Sequence, residues 1–279
     1  FDIAERHGLE KEQIIDFRGR LLPIAGEFSG MKITEARPLI VEKLRTKGLL
    51  VKIDESYKHI VKTCYKCGTL IEPQIKDQWF VTMNPLAEPA IKAIEKNEVT
   101  FIPKQYKKIS LHWLKNITDW NISRQIVWGI PIPAKICEQC NEGIVDLADN
   151  VKTCPKCKAS SLRKETDTFD TWFSSGQWPF ASLGHPGSKD YKTFYPTDVM
   201  ETAGEIIFFW VARMIMLGLY VTRKVPFHTV YLHGLVLDAK GKKMSKSRGN
   251  VINPLDLTAK YGTDALRIGL VVGNTPGTS

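Results

Sequence analysis

A chain of 279 residues with 43% hydrophobic and 25% charged residues can bury a sizeable core and is long enough for two or so domains; it carries no repeat or low-complexity tract. The formal net charge of +9 favours a polyanionic partner. The longest apolar run, residues 206–221, holds Arg213 near its middle, and because a central arginine costs ~2.5 kcal/mol or more in a bilayer, a buried helix is expected there and no membrane partner.

From Phe1 to Lys62 the sequence is mixed and charged. Residues 33–48 read as a helix whose apolar face is Leu39, Ile40, Val41 and Leu44, with short strands around it. Residues 63–165 read as a connective region of short elements, punctuated by Pro73, Pro103, Pro131 and Pro133. All six cysteines lie here in Cys-x-x-Cys pairs: Cys64 with Cys67, Cys137 with Cys140, and Cys154 with Cys157. Two intervening residues let both thiolates bind one tetrahedral ion from a single turn, and Gly68 and Pro155 suit such turns. Thirteen residues separate the second and third pairs, which assigns Cys137, Cys140, Cys154 and Cys157 to one structural zinc, with disulfides or free thiols as the alternatives. Four thiolates leave no open position for a substrate. Cys64 and Cys67 are then left without partner cysteines in this chain; a reduced empty pair and a redox pair are open readings, and no βαβ pattern supports the latter. Lys104, Lys107, Lys108 and Lys115 occupy an acid-free stretch interleaved with Tyr106, Trp113 and Trp120, which could serve base stacking or core packing.

Residues 166–279 read as an α/β sheet: a strand at 198–202, a helix at 205–220, and a strand at 228–238 that turns polar at its end. Gly241 and Gly249 then bound a loop containing Lys243-Met244-Ser245-Lys246-Ser247, with Lys240, Lys242 and Arg248 crowded beside it. Two ammonium groups and two hydroxyls on so short a loop are chemistry for phosphate; a solvated basic turn is the alternative. Beyond it, Asn253 caps a helix with Pro254 at its first position and Gly262 as the stop. Thr263 and Asp264 open a second helix over 265–272, ended by Gly273. A strand, a cationic loop and a helix in this order fit a nucleotide site at the carboxyl end of a parallel sheet.

The loop at 243–247 resembles the second signature of the class I aminoacyl-tRNA synthetases, and the likeness extends over nearly the whole chain. Asp119-Trp120-Asn121-Ile122-Ser123-Arg124-Gln125 with Trp128-Gly129 is similar to the valyl and isoleucyl branch. Phe169-Asp170-Thr171-Trp172-Phe173-Ser174-Ser175 with Trp178-Pro179, and Phe208-Phe209-Trp210-Val211-Ala212-Arg213-Met214, resemble the valyl branch, with the isoleucyl second. The family's earlier His-Ile-Gly-His signature has no match, since His233-Gly234-Leu235-Val236 differs in order and place. As the chain also opens at Phe1, an internal fragment is expected, inactive alone.

The resemblance implies an α/β fold in which 166–279 is the second half of a Rossmann-type domain, 63–165 an inserted zinc-ribbon connective region, and 1–62 the tail of a β-rich editing domain. It implies ATP-dependent activation of valine and transfer to tRNA(Val), with Mg2+ accompanying ATP, structural zinc, Cys64 and Cys67 as the half-site of a second zinc completed by residues upstream, and editing in the longer enzyme. A monomer in the cytoplasm is implied as well. An isoleucine ligase and a non-catalytic, zinc-stapled tRNA-binding module are the alternatives. Carried over by position, Lys243, Lys246 and Ser245 stabilise the departing pyrophosphate, and ATP meets His233, Gly234, Lys243, Met244, Ser245, Lys246 and Ser247. A satisfied core histidine is the alternative for His233. Trp178 and Ile206 wall the valine side chain and Glu205 meets its amino group. Here Ala203-Gly204-Glu205 departs from the family's glycine, aromatic, aspartate pattern and lengthens the acid by a methylene. Asp2 does not match the editing aspartate, and no editing catalysis is assigned to these residues.

Overall fold

The computed structural model describes residues 2–64, 67–246 and 249–273. It forms two compact units, Phe1–Asp77 and Gln78–Ser279, so the expected connective region is divided between them.

In the first unit α1 (Asp2–His7) leads into a loop turned by Asp16, whose Oδ1 accepts the backbone amides of Arg18 and Arg20, both at 2.8 Å. Helix α2 (Ile33–Thr46) starts where the Lys32 amide donates to Glu35 Oε2 at 3.3 Å, and it stops just short of Gly48, whose φ is 65°. Ala36 is its buried residue, while Leu39 and Leu44 stay exposed within this unit. The short strands expected around the helix are, among the described residues, only isolated bridges: Ile15 with Leu21, Arg20 with Lys32, and Thr63 with Leu70. Gly19, Gly26 and Gly30, at φ of 71°, 60° and 79°, turn the chain too often for a ladder to propagate.

The second unit opens with β1 (Phe80–Val81), α3 (Asn84–Glu95), β2 (Thr100–Ile102) and α4 (Gln105–Lys115). Short strands follow: β3 (Trp120–Asn121), β4 (Ser123–Arg124), β5 (Ala134–Cys137), β6 (Gly143–Val145), β7 (Leu162–Lys164) and β8 (Thr168–Phe169). Then come α5 (Thr171–Ser175), α6 (Trp178–Ala181), α7 (Lys189–Phe194) and β9 (Thr197–Ala203). A helical rod ending in α8 (Arg213–Thr222) leads to β10 (Phe227–His233), and α9 (Pro254–Tyr261) and α10 (Thr263–Gly273) complete the unit.

The organising sheet has the order β2-β10-β9, with β10 parallel to both neighbours. Phe227, Val230 and Leu232 of β10 are fully buried, as are Ile94 of α3, Leu114 of α4, and Met214, Ile215 and Met216 of α8, so these helices and the sheet share one core. The apolar run containing Arg213 is therefore a core helix.

Two expected spans differ in detail. The helix predicted for 205–220 is a rod of three kinds, a 3-10 turn (Gly204–Ile206), a π-helix (Ile207–Ala212) and then α8. Three successive aromatics need different surroundings: Phe208 packs on Trp113 at 4.9 Å, Phe209 on Trp172 at 6.0 Å, and Trp210 Nε1 donates to Ser175 O at 2.9 Å. The wider π turn spreads them. The strand predicted for 228–238 ends at His233, opposite Ala203 where its partner β9 ends, and Leu237 instead bridges back to Lys243 across a turn in which Asp238 Oδ1 takes the amides of Lys240 and Lys242 at 2.9 and 2.8 Å.

Arg213 is buried, its guanidinium 3.6 Å from the Trp120 ring centre. Asp170 gathers this region: its Oδ2 accepts Trp120 Nε1 and Arg124 Nη2, both at 2.9 Å, lies 3.8 Å from Arg213 Nη1, and its Oδ1 caps α5 by accepting the Trp172 amide at 3.2 Å. Burial draws Arg213 down to about 10, partly offset by Asp170, so it remains a cation at neutral pH.

Candidate functional site

Parallel pairing sets His233 beside Ala203, so β9 and β10 release the chain side by side at one edge. From β9 emerge Gly204, Glu205 and Ile206; from β10 emerge Gly234 and the segment leading to Asp238. This is the carboxyl edge, where open α/β sheets bind ligands. A Cβ on Gly204 would fall 2.5 Å from the Tyr106 hydroxyl oxygen, so the turn after β9 fits only without a side chain there. Gly204→Ala is expected to cost about 1–3 kcal/mol by overpacking, read as a lower melting temperature, and to cost clearly less when introduced into Tyr106→Ala protein, where the clash is gone.

The cationic loop is tied at its base. Asn250 Nδ2 donates to Asp238 Oδ2 at 2.8 Å and to Lys243 O at 3.2 Å, Asn250 Oδ1 accepts the Ser245 amide at 2.9 Å, and Leu237 bridges to Lys243. Lys243 Nζ makes an ion pair with Glu205. Lys246 is exposed, and among the described residues its ammonium has no acidic partner. Met244 and Ser245 are half-buried between the two lysines, and Ser247 and Arg248 lie outside the described residues. His233 is half-buried at the strand end; its Nδ1 lies 2.7 Å from Gly234 O and its Nε2 3.4 Å from Glu201 Oε1.

The structure thus brings His233, Gly234, Glu205, Ile206 and Lys243 to one edge, with Lys246 further along the same loop. Trp178 opens α6 and is 55% exposed. Asp238 and Asn250 have no assigned role in the sequence reading, although an aspartate at a strand end and an asparagine after Gly249 are local signals for them. Nothing local marks the contact of Tyr106 with Gly204. Of the aromatics near the basic stretch, Tyr106 lies against Gly204 and Trp120 is buried beneath Arg213, which answers for core packing; Trp113 is half exposed on Phe208. Lys107 donates to Asn97 Oδ1 at 2.6 Å and Lys115 pairs with Glu95 at 2.8 Å.

A second centre lies in the antiparallel sheet β6-β5-β7. Cys137, Cys140, Cys154 and Cys157 hold their sulfurs within 4.8 Å of one another, with Cys137 to Cys157 at 3.5 Å and Cys140 to Cys154 at 3.6 Å. All are free thiols. Sulfurs bound at ~2.3 Å around a tetrahedral ion stand about 3.8 Å apart, so the set fits a metal ion, whereas a disulfide needs about 2.05 Å. The two turns match bond for bond. Asn141 N donates to Cys137 O and Lys158 N to Cys154 O, both at 2.9 Å, with Asn141 and Lys158 at positive φ of 56° and 65°. Gly68 N donates likewise to Cys64 O at 2.8 Å, with φ 72°, so the first pair has the same turn.

Backbone amides of Cys157 and Lys156 bring the Cys154 thiol down to about 7. Cys140, despite a Glu142 amide that favours its thiolate, is pushed up to about 12 by burial and the neighbouring sulfurs. Four thiolates in this space need a cation to share their charge. Below them Lys135 joins Asp146 at 2.8 Å and Asp149 at 2.9 Å, and Lys164 with Lys135 holds Asp149 down to about 2. Trp79 braces the hairpin: its Nε1 donates to Glu165 at 2.8 Å, and a Cβ on Gly143 would lie 2.8 Å from its ring.

A parallel sheet that delivers a cationic loop and an acidic turn to its carboxyl edge defines an α/β protein of the nucleotide-binding class. The family model for tRNA synthetases class I (I, L, M and V) matches residues 10–279, and the chain belongs to that family. It is 49% identical over 278 residues to a valine–tRNA ligase of Symbiobacterium thermophilum, covering 99% of this chain and 30% of the relative. It is 48% identical to that of Carboxydothermus hydrogenoformans, covering 99% and 31%. The chain therefore spans under a third of the length of these relatives. Mycobacterium tuberculosis methionyl-tRNA synthetase in complex with methionyl-adenylate has a similar fold, with a TM-score of 0.56 at 19% identity over 78% of this chain and 38% of that one.

Proposed function

We propose that this chain is part of a valine–tRNA ligase that joins valine to ATP and passes the valyl group to tRNA(Val). The observation that carries this reading is the ion pair of Lys243, the first lysine of the cationic loop, with Glu205 at the carboxyl edge of the parallel sheet. One oxygen of valine's carboxylate attacks the α-phosphorus of ATP, the bond to the β-phosphate oxygen breaks, and pyrophosphate leaves with that electron pair. A terminal ribose hydroxyl of the tRNA then displaces AMP from the acyl carbon. Lys246 and Lys243 meet the negative charge growing on pyrophosphate, and the Ser245 hydroxyl donates a hydrogen bond to it. His233, Gly234 and Met244 line the nucleotide's path. Glu205 takes valine's ammonium, with Ile206 and Trp178 as apolar walls.

ATP enters with its Mg2+ as a substrate complex. Zinc held by Cys137, Cys140, Cys154 and Cys157 supplies a cross-link that fixes the hairpin, and Cys64 with Cys67 contributes a half-site of the same kind. Residues 1–62 correspond to the tail of the editing domain. The enzyme works as a cytoplasmic monomer.

Valine-dependent exchange of labelled pyrophosphate into ATP tests the reading in the full-length polypeptide. Exchange with valine well above that with isoleucine is expected. Faster exchange with isoleucine would reassign the substrate, and a protein that binds tRNA but exchanges with neither would return the chain to the class of binding modules.

A further inference from the structure

The ion pair between Lys243 and Glu205 joins the two halves of the site across 38 residues of sequence. One partner is the first ammonium of the phosphate loop, and the other is the carboxylate at the turn after β9. We infer that Glu205 is a positioning residue for Lys243, holding it in the empty enzyme, and that exchange of partners couples amino-acid binding to nucleotide binding. The inference rests on the reading of the site given under Proposed function.

Three observations carry it. The two lysines of the loop are inequivalent, since Lys246 has no acidic partner among the described residues while Lys243 is neutralised. The loop is anchored at its base by Asp238 and Asn250, so the Glu205 contact is a separate tether on a cationic side chain. Both partners are accessible, with side chains 57% and 38% exposed, so incoming ligands can reach each of them. An ammonium arriving at Glu205 releases Lys243 for phosphate, and a phosphate arriving at Lys243 releases Glu205 for the ammonium. Each ligand removes the other's competitor, and linkage makes the effect equal in both directions. The added methylene of glutamate has a purpose in this arrangement: aspartate would withdraw the carboxylate by about 1.5 Å, a full carbon–carbon bond, and leave Lys243 untethered.

Exposed ion pairs are weak, and their usual worth sets the coupling at about two- to fivefold. The test titrates full-length protein with an ATP analogue whose α and β phosphorus atoms are bridged by methylene, with and without saturating valine. In the wild type, valine is expected to tighten analogue binding about two- to fivefold. Glu205→Asp keeps the charge for valine and drops the tether, so it should bind the analogue alone about two- to fivefold more tightly, with the valine effect gone. Lys243→Met should also lose the valine effect. A Glu205→Asp protein whose analogue affinity and valine effect equal those of the wild type overturns the inference while leaving the nucleotide site standing. A wild type that binds no analogue overturns the reading of the site, and the inference with it.

Discussion

Lys246→Ala is expected to slow valine-dependent pyrophosphate exchange by about two orders of magnitude or more in the full-length protein, the loss seen when one transition-state donor is removed. The loop presents Lys246 to solvent with no acid to neutralise it among the described residues, while the base of the loop is fixed by Asp238 and Asn250. The substitution therefore removes a charge and leaves the frame that carries it. Charge on the departing phosphates grows as the bond to the α-phosphorus breaks, so the ammonium interacts more strongly with the transition state than with bound ATP. The loss should fall mainly on kcat, with KM for ATP changing less. A hundredfold drop corresponds to about 2.7 kcal/mol, which one fixed cation in a partly desolvated site can supply. An exchange rate within twofold of wild type would remove Lys246 from the reaction.

Cys154→Ser in the full-length protein is expected to release one equivalent of zinc and to unfold the hairpin of β5, β6 and β7. Small zinc-bound peptides draw about 10–16 kcal/mol of apparent folding free energy from the metal, and this hairpin has little else. Its own apolar cluster is Ile144 with the cysteines themselves, supported by Val151, Ala159 and Leu162. The Lys135 network with Asp146 and Asp149 is polar and does not replace that core. Elemental analysis reads the metal, and amide exchange over residues 134–164 reads the fold. Protection should vanish there and persist in β10, whose Val230 and Leu232 belong to the other core. A chelator should do the same to the wild type, and acid should help it, because each thiolate exchanges the ion for a proton. Full zinc content with unchanged protection in the variant would exclude a metal centre at these cysteines.

Local chemistry was legible in the sequence, and long-range chemistry was not. Asn253 does cap α9, its Oδ1 accepting the Leu255 amide at 3.1 Å, with Pro254 first and Gly262 just after, because a cap is decided within a few residues. The cysteine turns were readable for the same reason, since spacing alone puts two sulfurs on one side of a turn. The apolar run Leu235, Val236 and Leu237 predicts five more residues of strand than form, because β9 ends at Ala203 and leaves them no parallel partner. The π-helix was invisible because its cause is spatial, three rings finding partners on α4 and α5. The Asp170 junction with Trp120 spans 50 residues, and no periodicity reports such a pairing. The cationic loop could be named from sequence, whereas its pairing with Glu205 could be learned only from the fold.

Because β2, β9 and β10 all run the same way, their beginnings at Thr100, Thr197 and Phe227 gather on the side facing away from Lys243. Arg223, at a left-handed φ of 63°, and its neighbour Lys224 close α8 on that remote side, and both are exposed. A fluorophore or affinity handle spliced at these positions would ride on the protein at a distance from its chemistry, giving a place from which to watch the loop without touching it.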